Sequence, residues 1–80
     1  MFTIGQRTAV ANAFALAGYH GQIRIAPVTS EDERIFVLPS ETFAALTNVH
    51  ALEQILQQLL DRKVWIVEQS ASWPMTESFR

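Results

Sequence analysis

The order of apolar and polar positions divides the chain into helical and extended segments. Residues 4–17 are rich in good helix formers, among them Ala9, Ala11, Ala13, Ala15, Leu16 and Ala17, and this predicts a helix. Thr3 and Gln6 have the spacing of a capping box at its start, and Gly18 stands where a left-handed C-terminal cap is wanted. Val10 and Phe14 mark one face of this helix, Leu16 the opposite side, and only Gly5, Thr8 and Asn12 form a polar strip. A helix apolar over most of its circumference is expected to be buried on more than one side.

Residues 22–26 alternate with a period of two, the mark of a half-buried strand. Pro27 cannot donate to a ladder, which places this strand at a sheet edge. A polar loop over residues 29–33 leads to a second strand over 34–38, apolar on both faces. The two form a hairpin with an acidic tip.

Ser40 is expected to cap a helix, with Glu41 at the positive end of its dipole and Phe43 and Leu46 facing inward. Thr47 and Asn48 interrupt it and offer a second cap. Val49, Leu52, Ile55, Leu56, Leu59 and Leu60 then form one broad stripe. His50, Glu53, Gln54, Gln57, Gln58 and Asp61 occupy the other side, so this is the cleanest amphipathic helix in the chain. Arg62 and Lys63 close it with the favourable sign of charge. Residues 63–68 make a third strand, again apolar on both faces, with Trp65 expected in the core. Residues 70–80 carry Trp73, Met75 and Phe79 without clear periodicity.

The expected fold is α+β: a small three-stranded sheet with packed helices, in the order α-β-β-α-α-β. Strands two and three are separated by about 24 residues, enough for a crossover, so they can run parallel and make the sheet mixed. Residues 1–69 form the domain. Residues 70–80 are an irregular tail that either belongs to the same domain or binds a partner.

This element order, together with Gly18-Tyr19-His20-Gly21, resembles the bacterial type of KH domain, an RNA-binding fold. That fold sets its G-x-x-G between two helices, where it grips the nucleotide backbone. The matching junction here is Leu46-Thr47-Asn48-Val49, which has no glycine. The resemblance is therefore one of order, and no functional residue carries over.

Composition narrows the function further. An 80-residue domain buries only about 60–65% of the surface of its unfolded chain, so it needs unusually good packing or a staple. Without cysteine there is no disulfide, and His20 and His50 are too few for a structural zinc site. Oligomerisation is the staple that remains. The absence of cysteine, of a leader-like N-terminus and of a long apolar run leads us to expect a cytoplasmic protein of bacterial type with no membrane segment.

The formal net charge is −2 and the six Lys and Arg residues are scattered, unlike the basic stripe of a nucleic-acid binder. The polar face of residues 49–60 holds glutamines that could read base edges, but it holds no Lys or Arg to bind phosphate. His20 sits in a glycine-flanked turn and His50 in the first turn of a helix, neither in a catalytic signature. Glu31, Asp32 and Glu33 lack the calcium-loop pattern, and no phosphate loop, nucleophile elbow or dinucleotide fingerprint occurs. No catalytic residue, metal or cofactor is implied.

The aromatic and aliphatic set is more informative, because Trp and Met are enriched at interfaces. Leu16, Tyr19, His20, Trp73, Met75 and Phe79 are the candidate interaction residues. The expected function is a non-enzymatic protein-interaction module that pairs with itself as a homodimer and binds another protein. An inhibitor, an immunity-type or antitoxin-type factor and an accessory subunit are all compatible with it. The alternatives are a nucleic-acid-binding module or small transcriptional regulator, and a small-ligand binder with its site between two chains.

Overall fold

A computed structural model describes residues 2–27, 32–73 and 75–79. The element order is α1 (Ile4–Leu16), β1 (Arg24–Ala26), β2 (Glu33–Leu38), α2 (Ser40–Phe43), α3 (Val49–Leu60), β3 (Lys63–Glu68) and β4 (Glu77–Ser78). The sheet is mixed, with strand order β3-β2-β1-β4. β1 runs antiparallel to β2 and β4, and β2 runs parallel to β3. The fold is thus α+β with helices on a mixed sheet. It has four strands, not the three expected, because Glu77 and Ser78 pair with Ile25 and Arg24. A two-residue strand has no room to display a period of two, so the sequence pattern cannot reveal it.

β4 also moves β1 from the edge to the interior. The expectation from Pro27 fails for a simple reason. Pro27 follows the strand instead of lying in it, so its missing N–H removes no ladder bond. The acidic hairpin tip lies largely outside the described residues, of which Asp32 and Glu33 remain.

Each helix end has a local cause. The Thr3 hydroxyl accepts from the Gln6 amide at 3.0 Å while the Gln6 side chain accepts from the Thr3 amide at 2.9 Å, a complete capping box. Gly18, at φ 85°, provides the left-handed turn that stops α1. At α2 the cap position is taken by Pro39, at φ −56°, and Ser40 is the first helical residue. The expected Ser40 cap is not formed. Asn48 does cap α3, its side-chain oxygen accepting from Ala51 N at 3.1 Å. Asp61, at φ 53°, ends α3 in the left-handed region, and Lys63 then already belongs to β3.

The core lies between the helices and one face of the sheet. Val10, Phe14, Phe36, Leu38, Leu52, Leu56, Val64 and Ile66 are buried there. Phe36 is the hub of a ring cluster, with centroids 6.1 Å from Phe2, 5.8 Å from Phe14 and 5.3 Å from Phe79. Phe79 is fixed in place by its amide on the Ile23 carbonyl at 2.8 Å and by Arg7, whose guanidinium donates to the Phe79 carbonyl at 2.6 Å and lies over its ring. Phe79 is therefore part of the domain core.

Strand alternation puts Ile35, Val37, Trp65 and Val67 on the second face. Trp65 is 49% exposed there, not in the core as its apolar neighbours implied. Val37 and Ala26 on the same face are nonetheless buried. The chain between β3 and β4 has to pass from one sheet edge to the other, and Arg24 anchors it, donating to the Thr76 hydroxyl at 2.5 Å and the Thr76 carbonyl at 2.6 Å.

Truncating the Phe79 ring should cost about 3–5 kcal/mol, the usual loss for a buried aromatic. Urea unfolding of Phe79→Ala followed by circular dichroism measures it, with half-buried Trp73→Ala expected to lose much less. An unchanged midpoint for Phe79→Ala would mean that the C-terminal strand does not hold the domain together.

Candidate interaction surface

The helical layer has an outer side as well as an inner one. α1 turns Val10, Ala13 and Phe14 to the core and leaves Leu16 91% exposed. Contrary to the expectation from its all-round apolar character, α1 is covered on one side only. α3 buries Leu52, Leu56 and Leu60, but Ile55 and Leu59 from the same stripe stay 50% and 45% exposed. The stripe is wider than one sheet face can absorb.

Ala9 and Ala13 of α1 and its C-cap Ala17 recur every fourth residue and face α3 with small side chains. An apolar recess of about 450 Å³ opens between the two helices. Leu46, Ala51, Ile55 and Leu59 form its other wall, with Asn12, Thr47 and Asn48 as polar members of the lining. Among the described residues, no charged side chain lines it. The sequence confirms the neutrality, since none of residues 8–23 is Asp, Glu, Lys or Arg.

The candidate residues named from sequence separate in space. Leu16 lines the recess. Tyr19 and Phe79 are buried core residues, each 2% exposed. The Tyr19 hydroxyl donates to the Gln22 carbonyl and lies 2.9 Å from the Thr42 hydroxyl, which ties the turn to α2. His20 is exposed in that turn, Trp73 is half-buried, and Met75 is exposed in the segment before β4. None of these three lines the recess. Ile55, Leu59 and Ala51 were not singled out from sequence. The available signal was the width of the α3 stripe beside an alanine-rich neighbour.

Gly18 and Gly21 have structural reasons to be glycine. Gly18 has positive φ, and a Cβ on Gly21 would meet the Thr42 side chain at 2.7 Å and the Tyr19 hydroxyl at 2.8 Å. The G-x-x-G pattern is thus a turn that needs glycine for backbone conformation at Gly18 and for close packing at Gly21. Four of the six cations are also engaged within the chain. Arg7 binds Phe79, Arg24 binds Thr76, Arg34 donates to the Glu33 carbonyl and lies over Phe2, and Arg62 donates to the Asp61 carbonyl. Among the described residues, no group of three or more His, Asp or Glu could hold a metal ion, and no helix is long and apolar enough to cross a membrane.

One carboxylate has a definite task. β3 is an edge strand. The Lys63 and Gln69 amides point to β2, bonding Asp32 and Leu38 carbonyls, so by alternation the Ile66 amide points outward. Glu53 of α3 accepts from it at 2.8 Å. Its other oxygen lies 3.6 Å from His50 Nδ1. A carboxylate in that place satisfies the amide and blocks another strand from pairing there.

Compared with protein-family models, with curated proteins and with solved structures, the chain matches none of them. The surface has to be interpreted from its own chemistry.

Glu53→Ala should destabilise the domain by about 1–3 kcal/mol, the cost of losing a charged acceptor from a part-buried amide. Urea unfolding measures this, and His50→Ala serves as the control that leaves the bond intact. Equal, negligible losses in both variants would show that the edge does not depend on Glu53.

Proposed function

We propose that the chain is a non-enzymatic protein-interaction module that works as a homodimer. The observation that carries this reading is the charge-free recess between α1 and α3, with Leu16, Ile55 and Leu59 exposed around it. Exposed apolar side chains grouped in one place mark a contact site, whereas scattered ones need no explanation. The size of the chain points the same way, because a small domain without disulfides gains stabilising surface by association. Inhibitor, immunity-type or antitoxin-type factor and accessory subunit all remain roles for such a module.

A second reading has one observation in its favour. A recess of about 450 Å³ falls in the range of roughly 300–1,000 Å³ typical of small-molecule sites. An apolar ligand held between two chains would use the same walls.

Light scattering coupled to size exclusion over a concentration series tests the homodimer. The expected mass is twice the 9.0 kDa of the chain, falling toward the single-chain value on dilution. A mass of one chain at every concentration up to the millimolar range would refute it.

A further inference from the structure

We propose that the outer face of α1 and α3 is the dimer interface, with Leu16 of each copy seated in the recess of the other across a two-fold axis. This rests on the homodimer reading and adds the surface, the occupant and the geometry.

The other surfaces are less able to take a second copy. At the β3 edge Glu53 occupies the outward Ile66 amide, so strand addition there would displace a charge-assisted bond. The β4 edge is two residues long. On the second sheet face Trp65 is half-exposed, but Glu33 and Lys63 stand opposite one another beside it. Two copies meeting there would have to desolvate charges.

The helical face has the reverse character. Its lining is uncharged while the chain carries −2 overall. A charged partner surface would lose hydration against this face and gain no counter-charge. A neutral, apolar surface fits it, and the same face of another copy is such a surface. Contact there also keeps the acidic groups of two like-charged molecules out of the interface.

Shape supports self-pairing. A two-fold contact uses one patch twice, so the patch must hold both the projection and the hollow. Leu16 is the projection, 91% exposed at the end of α1, and the alanine-floored recess beside it is the hollow. The alanines let the helices of two copies approach closely.

The area suits a weak dimer. A standard interface takes about 800 Å² from each partner, roughly a sixth of the 5149 Å² accessible here. Helices of 13 and 12 residues rise about 1.5 Å per residue and lie about 10 Å apart. Their face measures roughly 20 by 20 Å in projection, to which the protruding Leu16 and the Leu46–Asn48 corner add. This is below the standard size and in the class of weak, transient contacts, so dissociation on dilution in the micromolar range is expected.

Sedimentation velocity on the full chain and three variants tests the geometry. Leu16→Asp places a charge in the interface at a site the monomer leaves in water, so it should keep the native circular dichroism and raise the dissociation constant by roughly tenfold or more. Ile55→Glu on the facing helix should do the same by an independent change. Trp65→Glu on the opposite face should leave the dimer intact. If the unmodified chain dimerises and both helical variants dimerise equally well, this interface is wrong while the homodimer stands. If Trp65→Glu alone dissociates it, the sheet face is the interface. A chain that is monomeric throughout overturns both proposals and leaves the recess to another protein or to a ligand.

Discussion

The parallel pairing of β2 and β3 is the constraint from which the rest of the architecture follows. Six residues of each strand stand in register, from Glu33 opposite Lys63 to Leu38 opposite Glu68. Parallel neighbours cannot be joined by a tight turn, so the intervening chain must cross over one face of the sheet. That crossover carries α2 and α3. It puts α3 above the β3 edge, where Leu52 and Leu56 reach the core and Glu53 reaches the Ile66 amide. α1 takes the remaining space on the same face, and its side chains Val10 and Phe14 complete the core beneath.

A single helical layer has consequences for its outer side. α3 is rich in leucine and α1 in alanine, and they lie next to each other. Alanine cannot cover a neighbouring leucine, so Ile55 and Leu59 remain in contact with water across a recess. The exposed surface is therefore a product of how the two helices are paired, not of one misplaced residue. The sheet edges show the opposite treatment, one capped by a carboxylate and the other reduced to two residues. Association through strands is discouraged in this molecule, and apolar surface is left where helices can meet.

Much of this was legible in the residues. The Thr3–Gln6 capping box, the Asn48 cap, the α3 stripe and the parallel crossover all rest on local spacing, and local spacing survives folding. The failures have a common origin in long-range pairing. Only contact with β1 makes Glu77 and Ser78 a strand, and that contact turns a presumed edge into an interior strand and part of an irregular tail into a sheet strand that leads Phe79 into the core. Trp65 read as core because its neighbours Val64 and Ile66 are apolar, yet it alternates onto the second face. Tyr19 and Phe79 read as interaction residues because nothing in the sequence shows what packs on them. Leu16 was identifiable from its angular position opposite Val10 and Phe14. Its companions Ile55 and Leu59 were not, because which part of a broad stripe stays uncovered depends on the size of the neighbouring helix's side chains.

The claim that apolar surplus on α1 and α3 is interface can be tested residue by residue. Backbone amide chemical shifts of the isotope-labelled protein, followed by NMR as it is diluted, report which residues change environment on dissociation. Shifts are expected to concentrate at Ala9, Asn12, Leu16, Ala51, Ile55 and Leu59, with the Trp65 indole and the β3 amides unmoved. Shifts centred on Trp65 and β3, with the helical residues unmoved, would contradict it.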